Sequence, residues 1–331
     1  MKPSQVSSAL QLLIERQRPC FIWGAPGVGK SDTVRQLATK MKLELRDVRL
    51  SLMDPVDLKG FPTPAKAGTK NVMSWLPPDF LPIKGKGVLF LDEMNSAPLS
   101  VQAAAYQLVL DRRIGNYELP PGWSVVAAGN RTTDRSVVHT MPAALANRFV
   151  HLDYDVDTDD WLDWATAHGV SFGTRGYIRY RPQNLVTNKI DAGMRAFPTP
   201  RSWYFADQVI NSSVSSEVQL ELLKGTIGEG AAVEYLGYMR ESTKLPPIEK
   251  ILMDPDNVEV PDSPSTKYAQ IAALESSVTS TNFERMLRYV ERMDKEFEVV
   301  FVTSSSRRDK KLTETKAFNK WLTANRSILL N

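Results

Sequence analysis

An α/β fold built on a parallel sheet is what this sequence predicts, and three observations predict it. Strand-like runs recur through the first half of the chain, at 19–23, 43–50, 87–91, 123–128 and 149–153. Segments with helical spacing of apolar residues lie between and after them. The first run opens directly onto a glycine-rich turn that leads into a helix, the order in which α/β proteins build phosphate-binding sites.

Taken in order, residues 4–17 predict a helix with Leu10, Leu13 and Ile14 on its apolar face. Pro19-Cys20-Phe21-Ile22-Trp23 suits a buried strand. Residues 24–31 then read Gly24-Ala25-Pro26-Gly27-Val28-Gly29-Lys30-Ser31, a complete GxxxxGK[ST] phosphate loop. Its three glycines let the backbone curl so that N–H groups point at phosphate oxygens, beside the positive end of the next helix. Lys30 would reach the β- and γ-phosphates of ATP, and the Ser31 hydroxyl would ligate Mg²⁺. The helix, 31–40, carries Val34 and Leu37 on one face.

Residues 53–86 are rich in proline and glycine. A stretch of that length without structure is improbable in a compact domain, so it is expected to be functional, with a hairpin projecting between Ala65 and Trp75. Val88-Leu89-Phe90-Leu91 precedes Asp92-Glu93. Such a run suits a central parallel strand buried on both faces, which sets the two acids at its carboxyl end. Asp92 would join the Mg²⁺ shell and Glu93 would polarise the attacking water. The next helix is expected to begin at Ser96-Ala97-Pro98, with Ser96 as N-cap, and to turn Leu99, Ala103, Tyr106 and Leu110 toward the sheet.

Ser124 to Ala128 is a further buried-strand run that stops at Gly129-Asn130, where the amide would orient the lytic water opposite Glu93 and sense the γ-phosphate. Gly-Asn by itself is ordinary turn chemistry. Met141 to Phe149 reads as a short helix ending in Arg148-Phe149. An arginine there would neutralise charge developing on a transferring phosphoryl group, with Arg131 and Arg135 as alternatives and a plain surface arginine as the default. Pro198-Thr199-Pro200-Arg201 places a second arginine at a proline-defined helix start, from which it would bridge onto the nucleotide.

The order Lys30, Asp92 and Glu93, Asn130, Arg148, Arg201 resembles that of an AAA+ ATPase: Walker A, Walker B, sensor 1, arginine finger and sensor 2. Asp54-Pro55-Val56-Asp57-Leu58-Lys59-Gly60-Phe61-Pro62 with Trp75-Leu76-Pro77-Pro78 resembles the helix-2 insert of the MoxR branch, here 53–86. Residues 113–123, with Gly115-Asn116-Tyr117-Glu118-Leu119-Pro120-Pro121-Gly122-Trp123, resemble its pre-sensor-1 hairpin. The resemblance covers 10–210. It implies a P-loop core with a five-stranded parallel sheet and flanking helices at 1–195, a helical lid at 196–253 and a helical extension at 254–331. It also implies a Mg²⁺-dependent ATP hydrolase that works as a homo-hexamer with Arg148 acting on a neighbouring subunit. A protein client remodelled in chaperone-like fashion, and a partner carrying a von Willebrand factor A domain, follow from the same likeness.

Composition narrows the classes. The chain has 331 residues, 42% of them apolar, enough for a proper core, and no apolar stretch of transmembrane length. The start leads into a mixed helix rather than an apolar signal core, and one cysteine excludes an internal disulfide, so a cytoplasmic protein is expected. His139, His151 and His168 lack ligand-like spacing. The net charge of +3 neither demands nor excludes nucleic acid. A nucleic-acid-stimulated motor is therefore the rival reading, supported by Thr174-Arg175-Gly176-Tyr177-Ile178-Arg179-Tyr180-Arg181 and by Ser306-Arg307-Arg308-Asp309-Lys310-Lys311, where arginines and tyrosines would grip phosphates and stack bases.

In the second half, Asp159 to His168 and 203–243 read as helical, Asp254–Pro264 as a strap, and Thr281-Asn282-Phe283-Glu284 as a capping box for one helix carrying Phe283, Met286, Leu287, Val290, Met293 and Phe297. Trp161 and Trp164 are packing residues. A last helix at 313–325 carries Phe318, Trp321 and Leu322.

Overall fold

The structure is a computed structural model that describes residues 1–134, 138–187 and 193–326. The chain divides into two compact units, Met1–Asp157 and Thr158–Asn331.

The first unit is built on five parallel strands: β1 (Cys20–Trp23), β2 (Glu44–Arg49), β5 (Gly87–Asp92), β8 (Trp123–Gly129) and β9 (Val150–Asp153), in the order β2-β5-β8-β1-β9. Between them lie two hairpins, β3 (Phe61–Ala67) with β4 (Lys70–Leu76) and β6 (Arg113–Ile114) with β7 (Tyr117–Glu118). Helices α1 (Pro3–Glu15), α2 (Lys30–Lys40), α3 (Pro55–Lys59), α4 (Leu99–Asp111) and α5 (Ala143–Ala146) complete the unit.

Successive side chains of a strand point to opposite faces, and the core divides accordingly. Cys20, Ile22, Val88, Phe90, Val126 and Ala128 meet Val6, Leu10 and Ile14 of α1 and Val34 and Leu37 of α2. Phe21, Leu89, Leu91, Val125 and Ala127 meet Val101, Ala104, Ala105, Leu108 and Val109 of α4. β5 and β8 are buried at every position, as strands covered on both faces must be.

Two details of this unit depart from the sequence reading. Helix α4 starts at Leu99 with Pro98 as its N-cap residue, after a 3₁₀ turn at Met94–Ser96, so Ser96 caps nothing. The ring of Pro98 disfavours helical backbone at Ala97, which is extended. The buried face of α4 is also rotated: Leu99 is exposed, as is Ala103, and Tyr106 and Leu110 are half-buried. Apolar residues occur on every side of this helix, so periodicity alone did not select the face.

The second unit is helical: α6 (Thr158–Ala167), α7 (Phe172–Tyr180), α8 (Pro200–Ile210), α9 (Ser216–Ile227), α10 (Glu229–Ser242), α11 (Ile248–Met253), α12 (Pro264–Ser277), α13 (Phe283–Val290), α14 (Lys295–Arg308) and α15 (Lys316–Ala324). The single helix expected from Phe283 to Phe297 is two. The chain turns at Glu291–Asp294, and Met293 and Phe297 still reach the core that Phe283, Met286, Leu287 and Val290 share. The last helix begins at Lys316, after a 3₁₀ turn at Lys310–Glu314, and buries Trp321.

The basic, tyrosine-rich segment 174–181 is the core helix α7. Thr174, Arg175, Gly176, Tyr177 and Ile178 are buried in it. Arg175 donates to Val170 O at 3.0 Å and to Thr166 Oγ1 at 2.9 Å, Arg179 pairs with Glu275 at 2.6 Å, and Arg181 pairs with Glu234 at 2.8 Å. Arg308 donates to the carbonyls of Glu275 and Val278, and Arg307 faces Asp163 at 3.5 Å. These cations tie helices of the unit together. Residues 174–178 lie inside the unit rather than on its surface.

Cys20 opens β1, between β8 and β9, with no exposed surface, and burial pushes its thiol up to about 12, against about 8.5 for a free cysteine. A thiol reagent at pH 8 should therefore label the native protein at least about a hundredfold more slowly than the unfolded chain. Stopped-flow labelling with and without denaturant measures that ratio.

Candidate functional site

Because all five strands run the same way, the segments that follow β1, β5 and β8 leave the sheet at one edge. β8 lies between β5 and β1, so the loop after β1 and the acids after β5 flank the residue that follows β8. This is the crevice in which open α/β sheets hold ligands.

The loop Gly24–Gly29 curls through left-handed backbone at Gly27 (φ +75°) and Gly29 (φ +107°), the latter being the N-cap residue of α2. A side chain at Gly24 would meet Tyr154 O at 3.0 Å, so the first glycine is required by close packing rather than by its dihedral angle. Val28 is buried beside Val34 and anchors the loop to the core. Thr33, which donates to Gly29 O at 3.1 Å, holds Tyr154 Oη at 3.0 Å and ties the loop to the end of β9.

Lys30 is buried, 8% exposed, and its ammonium donates to Gly24 O (2.5 Å), Ala25 O (2.9 Å) and Asn130 Oδ1 (3.1 Å). A buried ammonium needs such a set of oxygens around it. Ser31 Oγ donates to Asp92 Oδ2 at 2.6 Å, across the end of β8. Two hydrogen-bonded pairs, Lys30–Asn130 and Ser31–Asp92, thus start from adjacent residues at the head of α2. Asp47, near the end of β2, has its pKa raised by burial and then by the charge of Asp92, with Arg35 opposing.

Glu93 has φ +55°, a left-handed backbone rare for a residue with a side chain. The strain is held by its own N–H, which donates to Asp92 Oδ1 at 2.9 Å. Ser51 Oγ donates to the Glu93 carboxylate, and Arg49 Nε lies 3.7 Å from Glu93 Oε1. Arg49 ends β2, the neighbour of β5, and Ser51 lies in the 3₁₀ turn that follows it. Sequence reasoning passed over Ser51 and Arg49, which carry no local signal.

Asn95 was also missed. It is 2% exposed, and its side-chain amide brackets Asn130: Nδ2 donates to Asn130 O at 2.7 Å, and Oδ1 accepts from Asn130 N at 3.1 Å. The clamp fixes the backbone of Asn130 while its own amide reaches Lys30. A polar residue closely following two acids in Asp92-Glu93-Met94-Asn95 was the available hint.

The contacts of the candidate arginines are separate from those of this site. Arg148 is exposed at the end of α5, where Nη1 donates to Ala144 O at 2.8 Å. Arg131 is bound to Asp155 at 2.8 Å and to Asp153 at 3.3 Å, and its guanidinium holds the Asp155 carboxyl below the usual range. Arg135 lies outside the described residues. Arg201 is in the second unit, exposed in the first turn of α8, whose start is fixed by a Thr199–Ser202 capping box.

The residues present fit a magnesium nucleotide. A hydroxyl and a carboxylate at hydrogen-bonding distance are hard oxygen ligands, and Mg²⁺ is usually held by one or two protein oxygens together with phosphate and water. Among the described residues no cluster of three or more His, Cys, Asp or Glu could hold a metal by itself. No described helix is long and apolar enough to cross a membrane.

Residues 19–149 match the AAA domain of the dynein-related subfamily. Midasin of Giardia intestinalis is 27% identical over 176 residues, half of this chain, and the chain spans about 4% of that relative's length. Among solved structures, the RuvB Holliday junction branch migration motor of Thermotoga maritima is 17% identical with a TM-score of 0.41, covering 86% of this chain and 85% of that one. A mutant of the same RuvB gives 16% identity and a TM-score of 0.42, covering 77% and 75%.

A methyl group at Gly129 would lie 2.1 Å from Asn95 Oδ1 and 2.8 Å from the Phe21 ring. Gly129→Ala should accordingly cost about 1–3 kcal/mol of stability by overpacking. Denaturant unfolding of the variant and the parent measures the difference.

Proposed function

With residues 19–149 forming an AAA domain of the dynein-related subfamily, we propose that the protein is a Mg²⁺-dependent ATPase of MoxR type. In this reading it works in the cytoplasm as a homo-hexameric ring and remodels or activates a protein client. The observation that carries the catalytic part is the pairing of the adjacent Lys30 and Ser31 with Asn130 and Asp92 respectively, with Glu93 bound to Asp92.

Each residue has a role that its contacts support. The amides of the loop from Gly24 to Gly29, with Ala25, Pro26 and Val28 setting its shape, would receive the phosphates. Lys30 would exchange the carbonyls of Gly24 and Ala25 for phosphate oxygens, remaining close to Asn130. Ser31 and Asp92 would hold Mg²⁺, which supplies charge neutralisation on the phosphates when bound. Glu93 would accept the proton of the attacking water, for which its carboxylate must be released from Ser51 and Arg49. Asn130 would hold that water and register the γ-phosphate through its link to Lys30.

Arg148, free of any carboxylate partner among the described residues and exposed in the turn that follows α5, suits a group that acts on the nucleotide of a neighbouring copy. Arg131 is bound by two carboxylates and suits that role less. We assign Arg201 to sensing from the helical lid at 196–253, with 254–331 as an extension. A partner with a von Willebrand factor A domain belongs to the same reading. The nucleic-acid alternative loses its main support, since the segment 174–181 is a core helix.

Glu93→Gln should still bind ATP and assemble, with turnover lowered about 10²- to 10⁴-fold. Light scattering with ATP and Mg²⁺ should give a mass near six times the monomer, and a monomer throughout would remove the ring. Mixing Lys30→Ala with Arg148→Ala, each inactive alone, should recover part of the ATPase rate. No recovery at any ratio would show that Arg148 does not act across an interface.

A further inference from the structure

The β3–β4 hairpin has two edges that the sequence treats differently. Its strands pair from Phe61 opposite Leu76 to Ala67 opposite Lys70, leaving Gly68 and Thr69 as a two-residue loop with Gly68 at φ +64°. Such a loop makes the closing pair a hydrogen-bonded one, and bonded and non-bonded pairs then alternate along the ladder. Lys70, Val72, Ser74 and Leu76 therefore direct their amides at β3, while Asn71, Met73 and Trp75 direct theirs outward. The outward positions of β3 are Pro62, Pro64 and Lys66. Proline has no N–H to offer, and prolines and lysines are how an edge strand is closed to further pairing. The outward positions of β4 carry neither.

Part of that edge is already covered. Asn116 Nδ2 donates to Ser74 Oγ at 2.8 Å, and Gly115 lies against the Trp75 ring, so the β6–β7 turn covers the base. Beyond it, Asn71 is exposed and Met73 is 62% exposed, and among the described residues their backbone groups have no partner. Side chains on either side of the edge are apolar and accessible: Val72 shares a face with Leu76 and Phe61, and Met73 shares the other with Pro64. Residues 59–86 carry Lys59, Lys66, Lys70, Lys84 and Lys86 against Asp79 alone.

We propose that the open edge of β4 is a docking site for an extended, acidic polypeptide segment, which adds to the hairpin as a third strand. The occupant is a protein client, so the inference rests on the remodelling reading above. Main-chain pairing at Asn71 and Met73 holds the segment, its alternate apolar residues flank Val72 and Met73, and its carboxylates meet Lys66 and Lys70 near the tip. Two paired residues make a weak contact on one copy, and several copies engaging one client gain by effective concentration.

The test uses the full chain without ATP and a fluorescent peptide of alternating valine and glutamate, followed by anisotropy. Met73→Pro repeats on β4 the block that Pro64 makes on β3 and should weaken binding about tenfold, the worth of one or two hydrogen bonds. Met73→Ala keeps the N–H and should bind within about threefold of the parent. In the presence of peptide, amide exchange at Asn71 and Met73 should slow while Val72 and Ser74 stay unchanged. The proposal is overturned if the peptide does not bind, if its alternately N-methylated form binds equally well, or if Met73→Pro binds like the parent. It is equally overturned if Asn71 and Met73 become protected with rising protein concentration alone, since a second copy then fills the edge. ATP turnover measured on the same samples separates the two readings. A parent that turns over ATP without edge-dependent binding refutes the docking site alone, whereas absent turnover refutes the ATPase and leaves the peptide result to stand.

Discussion

The uniform direction of the five central strands is the constraint on which the rest of the first unit depends. Parallel pairing forces the chain to return to the same end after each strand, so every crossover begins at one edge. The residues that leave β1, β5 and β8 are consequently neighbours although their contacts join positions 35 to 100 residues apart in sequence. The Ser31–Asp92 and Lys30–Asn130 hydrogen bonds are the direct result. Burial on both faces makes that edge rigid, because a strand shift of one residue would exchange the two apolar faces.

Rigidity at the edge explains how strained and costly features persist there. Glu93 in left-handed backbone and Lys30 buried at the loop are both unfavourable alone. Each is surrounded by partners that over-determine it: Asp92, Ser51 and Arg49 for the first, and three oxygens for the second. Asn95 plays the same part for Asn130. The chemistry-bearing residues are thus fewer than the residues that hold them, and several of the holders, Ser51, Arg49 and Asn95, are distant in sequence from the residues they support.

That division accounts for what the sequence made legible. Central strands such as Val88–Leu91 and Ser124–Ala128 were readable because burial on both faces demands continuous apolar runs, and the phosphate loop because its glycines are fixed by backbone geometry. The supporting residues were not readable, since Ser51 and Arg49 meet Glu93 only through strand pairing, and no local pattern announces a partner 42 positions away. The face of α4 and the break between α13 and α14 failed for a related reason: periodicity reports that a helix is apolar, not which neighbour it meets. Segment 174–181 misled most. A row of arginines and tyrosines looks like a surface until the carboxylates of Glu234 and Glu275, distant in sequence, are placed beside it.

The closed position of Cys20 has a practical consequence. It is the sole cysteine of the chain and lies buried in the central sheet, so any cysteine introduced at the surface becomes a unique chemical handle. Spin labels or fluorophore pairs could be placed on the β3–β4 hairpin or on α5 in the otherwise natural sequence, without first removing native thiols. Distances between copies, and their change through a nucleotide cycle, then become accessible to spectroscopy on a protein whose core has not been altered.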